Sequence, residues 1–450
     1  MVNTSLSTFR ANRAPASTPK GTRPFAFLTR VFPLARRSST MSGSGGARER
    51  SLQLFPHPNL LRRRDAPDAA RVTQIELFFD LVFVYAVTQL SHILLAQFTP
   101  LGALHTAMLF VAVWWVWIYT SWVTNWLDPD RRPVRLLLLA LMLAGLVLST
   151  SLPRAFADRG LAFAAAYVTM QIGRSLFMLW ALRGYAPANY RNFRRIVIWL
   201  AGSGALWLWG GFSDGPARLH LWLAALGIEF VSPAAGFWTP GLGRSHPSDW
   251  DVNGAHLAER CAAFVLIALG ESITVAGAAF FGLDWAAPVV AAFLVAFVMA
   301  VAMWWIYFDT AAERTSRIFA HHANRGHIAR LGYTYIHSAL IAGIVLTAVA
   351  NQRLLEHPLG VSDPASTAVL LGGPAIYLLG NGVFRALLSP RFPPSHILGL
   401  GLLVVLAVAS PLMDQLPLAV AATAVTLLSA AVSAHLLHRQ HKAKQASIAT

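Results

Sequence analysis

The sequence predicts an all-α fold: a polytopic transmembrane bundle of about twelve spans, arranged as two parallel six-helix repeats. Three observations predict it. Of the 450 residues, 56% are hydrophobic and 12% charged, against roughly half and a quarter in soluble domains. Apolar runs of about 20 residues, the length that crosses a bilayer, recur along the chain. Segments of the first half also return, in order, in the second.

The chain opens on a basic extension, residues 1–70. Met1 to Arg48 contains no Asp or Glu but carries Arg10, Arg13, Lys20, Arg23, Arg30, Arg36, Arg37 and Arg48. Such a segment cannot bury a core. Three readings fit its Arg, Ser and Pro content: an organelle transit peptide, a disordered cytoplasmic tail, or sequence upstream of a start at Met41.

Residues 71–240 form the first half and 241–440 the second, with 441–450 as a cytoplasmic tail. Spans are expected near 75–97, 102–124, 134–152, 160–182, 195–212, 218–236, 256–281, 286–308, 328–351, 367–388, 396–413 and 416–438. The fifth is diluted by Gly202, Gly204, Gly210 and Gly211, and Pro411 and Pro417 leave a short final connection, so ten or eleven spans remain alternatives. Charge supplies a separate test, because Lys and Arg in short loops favour the cytoplasmic side. With the amino terminus inside, thirty of the 36 Lys and Arg residues fall on inner segments and four, Arg154, Arg159, Arg218 and Arg353, on outer loops. Both termini are therefore expected in the cytoplasm. The formal net charge of +16 is explained by this orientation rather than by nucleic acid, whose partners carry their basic groups on a polar domain.

The repeat is carried by short blocks. Val111-Ala112-Val113-Trp114-Trp115-Val116-Trp117 matches Val301-Ala302-Met303-Trp304-Trp305-Ile306-Tyr307, and Leu143-Ala144-Gly145-Leu146-Val147-Leu148 matches Ile341-Ala342-Gly343-Ile344-Val345-Leu346. Gly173-Arg174 lines up with Gly380-Asn381, followed by Phe177 and Phe384. A six-span unit is even, so both copies enter the membrane from one side, as in parallel repeats, whose substrate sites lie where the copies face each other.

Ionisable residues inside spans are costly and face the interior with a partner or a role. Glu76 and Asp80 share one face of the first helix, with Gln89 and His92 towards its far end. On the seventh, His256, Glu259 and Arg260 occupy the inner end, and Glu271 stands about 18 Å further along at 1.5 Å per residue. Arg174 lies well inside the fourth helix and requires a carboxylate, for which Asp80, Glu229 and Glu271 are candidates. His337 with Tyr333, Gln171 beside Arg174, and Asn381 complete the polar interior. The bland alternative is that these groups only bind helices together, and Glu76 and Glu259 can be anchors at helix starts. His321, His322 and His327 fit a solvated basic loop better than a metal site. Cys261 is the sole cysteine, which removes an internal disulfide or a redox pair. No phosphate loop, His-Glu-x-x-His pair or Gly-x-Ser-x-Gly elbow occurs, so neither enzyme, cofactor nor metal is expected.

Arg71-Val72-Thr73-Gln74-Ile75-Glu76-Leu77-Phe78-Phe79-Asp80-Leu81-Val82-Phe83-Val84, continuing through Thr88-Gln89-Leu90-Ser91-His92, resembles the opening signature of the bacterial low temperature requirement protein A family. Trp122-x-x-Asn125 before Leu127-Asp128-Pro129, His256-x-x-Glu259-Arg260 before Ala268-Leu269-Gly270-Glu271-Ser272-Ile273, and His337 before Ala342-Gly343-Ile344 agree with it. The resemblance covers roughly 70–440, and the amino-terminal extension departs from the family pattern. It implies a bacterial inner-membrane protein and little chemistry. Phe79-Asp80-x-Val82-Phe83 is also similar, more loosely, to potassium or proton channels with a Phe-Ser-Asp signature, with Phe79 standing where their serine would be.

The expected function is transport of a small solute or ion, coupled to protons, along a pathway lined by Asp80, Arg174, Glu259, Glu271 and His337. A cation channel or a non-transporting envelope factor is the alternative, and an intramembrane enzyme a more distant one. Lipid and a small solute or ion are the expected partners, a homo-oligomer is an alternative to a single chain, and nucleic acid is not expected.

Overall fold

The computed structural model describes residues 59–63, 70–245, 252–308, 329–388 and 391–449. The basic extension up to residue 58 and the histidines His321, His322 and His327 lie outside the described residues. Twelve α-helices occur among the described residues: α1 Gln74–Ala96, α2 Pro100–Trp126, α3 Arg132–Ser151, α4 Gly160–Leu182, α5 Pro187–Phe212 and α6 Gly215–Ala234. They continue as α7 Gly254–Phe281, α8 Ala287–Phe308, α9 His337–Glu356, α10 Pro364–Leu388, α11 Pro394–Ala409 and α12 Gln415–Ala449. A π-helix, Ala329–Ile336, leads directly into α9. Among the described residues there is no strand, only isolated bridges such as that of Leu61 with Leu127.

Helix starts follow local chemistry. Pro100 begins α2, where a missing N–H costs nothing, and Thr99 Oγ1 accepts from the Gly102 amide at 3.1 Å. Asn253 caps α7 by accepting from the His256 amide at 3.2 Å. At α1, Glu76 reaches back to the Thr73 amide at 2.9 Å, so the acid that opens the helix also satisfies a backbone donor.

Among the described residues, ten helices are long and apolar enough to cross a membrane, counting the π-helix with α9. Twelve crossings were expected, and α5 and α6 fall short of that measure. The reason is visible in their sequences. The first turns of α5 carry Arg191, Arg194 and Arg195 and its later turns four glycines, while α6 holds Arg218, His220 and Glu229.

The bundle buries one face of each helix and leaves apolar side chains outward. On α3, Val134, Leu138, Leu141, Gly145 and Leu148 are buried, whereas Leu136, Leu139, Leu143 and Leu146 form an exposed stripe at helical spacing. On α11, Val404, Val405 and Val408 are likewise exposed, Val408 at 78%. Stripes of this kind would drive association in water and are at ease in hydrocarbon.

Seven helix pairings of α1–α6 recur at the equivalent places of α7–α12, which adds contacts of α8 with α9 and of α10 with α12. In the first, α1 packs on α2 and α3, α3 on α4, α4 on α5, α5 on α6, and α2 on α4 and α6. In the second, α7 packs on α8 and α9, α9 on α10, α10 on α11, α11 on α12, and α8 on α10 and α12. Close approaches obey the same register: a Cβ on Gly145 would meet Met170, four residues before Arg174, and one on Gly343 would meet Tyr377, four residues before Asn381. Between the halves, α1 packs on α7 and on α9.

Candidate functional site

The α1–α7 seam is held by two stacked pairs. Arg260 donates from Nη1 to Asp80 Oδ2 at 2.9 Å and from Nη2 to Asp80 Oδ1 at 2.7 Å. Trp117 Nε1 adds a third donor to Oδ1 at 2.8 Å, and the guanidinium carbon lies 5.6 Å from the Trp117 ring centre. Both Asp80 and Arg260 are fully buried. A bidentate guanidinium–carboxylate contact is the strongest arrangement such a pair can adopt, and in a dry interior the attraction is needed to offset removal of both charges from water. Arg260 Nη2 also reaches Ser121 Oγ at 3.3 Å.

One turn nearer the helix starts, Glu76 and His256 meet at 3.0 Å through Oε1 and Nε2. The other oxygen of Glu76 accepts from Thr73 Oγ1 at 2.8 Å and from Arg62 at 3.2 Å. The tautomer of His256 follows from its second neighbour. Asn125 accepts from the Asn253 amide at 2.9 Å and donates to the Asn253 carbonyl at 2.8 Å, which fixes its orientation. Its Nδ2 then donates to His256 Nδ1 at 3.2 Å, leaving Nε2 to carry the hydrogen that goes to Glu76. Both pairs join positions 180 residues apart. Facing positions that advance together by one turn on each helix require α1 and α7 to run side by side in the same direction.

Further along the same seam Thr88 donates to Glu271, which is half-buried. Glu259 is exposed and accepts from the Val72 amide at 2.9 Å, just before α1. Gln89 is half-buried and His92 exposed, so His92 does not belong to a polar interior. Its position on the outward face of α1 was not visible from spacing alone.

Arg174 belongs to a different cluster, which corrects two expectations. It is fully buried, yet among the described residues no carboxylate lies within ion-pair distance of it, and Asp80 is taken by Arg260. Arg174 donates to the Val116 carbonyl at 3.1 Å, to Thr120 Oγ1 at 2.9 Å and to Gln171 Oε1. Gln171 in turn donates to Glu229 at 3.2 Å, so an amide relays between cation and acid. Glu229 also accepts from Tyr167, from Ser203 at 2.8 Å and from Trp207 at 3.0 Å. α2 separates the two clusters: Trp117 and Ser121 serve the α1–α7 seam, while Val116 and Thr120 serve Arg174.

His337 and Asn381 form smaller clusters of the second half. His337 Nδ1 donates to the Gly332 carbonyl of the π-helix at 2.8 Å, and Nε2 accepts from Tyr307 at 3.0 Å. Asn381 Oδ1 accepts from His396 at 3.0 Å. The single pathway expected through Asp80, Arg174, Glu259, Glu271 and His337 is therefore divided. Among the described residues Asp80 is matched by Arg260, Glu76 by His256 and Arg62, and Arg174 by neutral acceptors, as the cost of an unmatched charge in hydrocarbon requires.

Arg62, Trp117 and Asn125 were not among the site residues expected from the sequence. Asn125 was present in a motif and Trp117 in the repeated block, but Arg62 precedes the first span and carried no signal.

Apolar crossing helices enclosing paired charges define a multi-pass helical membrane protein. The family model for the bacterial low temperature requirement A protein matches residues 71–431, and the chain belongs to that family. It is 40% identical over 379 residues, 84% of this chain and 91% of the relative, to the uncharacterized protein RA0937 of Rhizobium meliloti (strain 1021). No solved structure matches the chain.

Proposed function

We propose that this chain is a proton-coupled transporter of a small solute or ion in the bacterial inner membrane, working at the α1–α7 seam. The observation that carries the reading is the pair of acid–base contacts, Glu76 with His256 and Asp80 with Arg260, stacked across the line where the two halves meet. A proton taken up by Asp80 removes the charge that clamps Arg260, and the seam loosens. Arg260 is then free to accept an anionic or polar solute, and loss of the proton restores the clamp.

The reading includes twelve crossings, two parallel halves and both termini in the cytoplasm. The common packing order of the halves, the equivalent approaches of Gly145 and Gly343, and the same-direction register of α1 and α7 support duplication. In this topology α5 and α6 cross as a hairpin, with Glu229 and Arg174 joined inside through Gln171. The distribution of Arg supports the orientation. No enzymatic step is invoked.

A second reading has support of its own. Asp80 accepts three hydrogen bonds, which suits a permanent clasp between the halves in a non-transporting protein. Reconstitution in liposomes with an internal pH dye separates the two. Wild-type protein is expected to move protons under an imposed gradient, with folded Asp80→Asn and Glu271→Gln proteins slower by tenfold or more. Absence of wild-type flux under every solute and ion gradient tried, or unchanged flux in Asp80→Asn, would refute the transport reading.

A further inference from the structure

At the end of the bundle where α1 begins, an open cleft of about 820 Å³ is lined by Arg62, Arg63, Arg71 and Arg135 and by Asp128 and Asp130. The volume is in the range of small-molecule sites. Its charges are not equally committed. Arg135 pairs with Asp130 at 3.1 Å, Asp128 with Arg131 at 3.3 Å, and Arg62 with Glu76 at 3.2 Å. The side chains of Arg63 and Arg71 are exposed and form no ion pair or hydrogen bond among the described residues. Among the described residues, the acids of the cleft are thus already answered, and two guanidinium groups remain over.

Arginines near a helix end are expected from membrane orientation alone. Orientation does not require them to line one concavity. A pair of free planar donors lining one cleft is an arrangement that takes up phosphate oxygens, because guanidinium offers two parallel N–H groups to each anion. We propose that this cleft binds a phosphate-bearing anion through Arg63 and Arg71. Phe78, on the same wall and 49% exposed, gives an acyl chain a surface to follow, so the phosphate can come from an anionic lipid headgroup or from a soluble phosphate. The site is independent of the transport reading. It has a direct route to the seam, since Arg62 lines the cleft and also donates to Glu76.

Isothermal titration of the purified full chain in a non-ionic detergent tests the proposal with three probes: dioctanoyl phosphatidylglycerol, dioctanoyl phosphatidylcholine and inorganic phosphate. Saturable binding of phosphatidylglycerol that phosphatidylcholine does not match would assign the lipid source. Saturable binding of inorganic phosphate would assign the soluble one. In either case Arg63→Gln/Arg71→Gln should weaken binding by about tenfold for each guanidinium removed. The same variant should unfold at the wild-type temperature, because neither side chain holds a described bond. Binding that is equal in wild type and variant, or absent with all three probes, would overturn the proposal.

Discussion

Asp80 and Arg260 face each other through two hydrogen bonds, at 2.7 and 2.9 Å, on helices whose positions differ by 180 in sequence. Neither has any exposed surface. Removing one member leaves the other charged and alone, at a cost of about 3–5 kcal/mol, whereas replacing both with apolar groups is far milder. Arg260→Met and Asp80→Leu should each lower the midpoint of thermal unfolding in detergent by several degrees. The double variant should recover much of that loss. Strictly additive losses would show that the pair does not couple.

Arg174 gives a prediction of a different kind, since it is held by a carbonyl, a hydroxyl and an amide rather than by an acid. Arg174→Lys keeps the charge but cannot offer a planar fork to Val116, Thr120 and Gln171 together. Unfolding should occur earlier by roughly 1–3 kcal/mol, the cost of unmatched buried polar groups. Gln171→Leu should cost a similar amount by leaving Arg174 and Glu229 without their relay. Wild-type stability in both variants would contradict the relay.

Packing at the glycines can be tested by contrast. A Cβ at Gly343 would come within 2.8 Å of the Gly373 carbonyl oxygen and 2.9 Å of Tyr377 Cβ, whereas one at Gly173 would meet nothing within 4 Å. Gly343→Ala should destabilise by about 1–3 kcal/mol through overpacking. Gly173→Ala should be neutral or slightly stabilising, because alanine is the better helix former. Thermal unfolding of the two proteins side by side is the check.

Asp363, in the connection before α10, predicts a pH effect. The Ser366 hydroxyl is the main cause that holds its carboxyl below the ordinary value of 3.8, helped by the Ser366 and Ala365 amides and by Arg353. A group depressed on folding stabilises the folded state above its ordinary pKa, and that contribution disappears as pH falls through the depressed value. The cap should therefore be intact from neutrality down to about pH 4 and lost only in stronger acid. Ser366→Ala should move its titration upwards, as read from the carboxyl carbon shift in a labelled sample. An unchanged shift would remove the hydroxyl from the account.

Much of the architecture was legible because hydrocarbon imposes a simple rule on sequence. The fourth helix, expected at 160–182, occupies those residues, and α1, α3, α7 and α8 begin and end within a few residues of expectation. α5 was placed too late, at 195 rather than 187, because Arg191, Arg194 and Arg195 resemble a loop. Arg195 is in fact buried, donating to Asn192 at 2.7 Å and to the Leu242 carbonyl. The π-helix before α9 had no signal, since a shift from four to five residues per hydrogen-bond step leaves composition unchanged. At the site, the residue types were legible and their pairing was not. Arg260 looked like an edge residue and Arg174 like the buried cation in need of an acid. Only the depth and rotation of α7 decide that Asp80 belongs to the former.

The distance along the chain between Asp80 and Arg260 also has a consequence for biosynthesis. At roughly 5–20 residues per second, the ribosome needs on the order of ten to forty seconds to deliver α7 after α1. Throughout that interval Asp80 sits in lipid with its eventual counterion unmade, while Glu76 has only Arg62, made before it, to answer its charge. The nascent first half is therefore a waiting intermediate rather than a finished domain, and its survival depends on how quickly synthesis brings the answering helix.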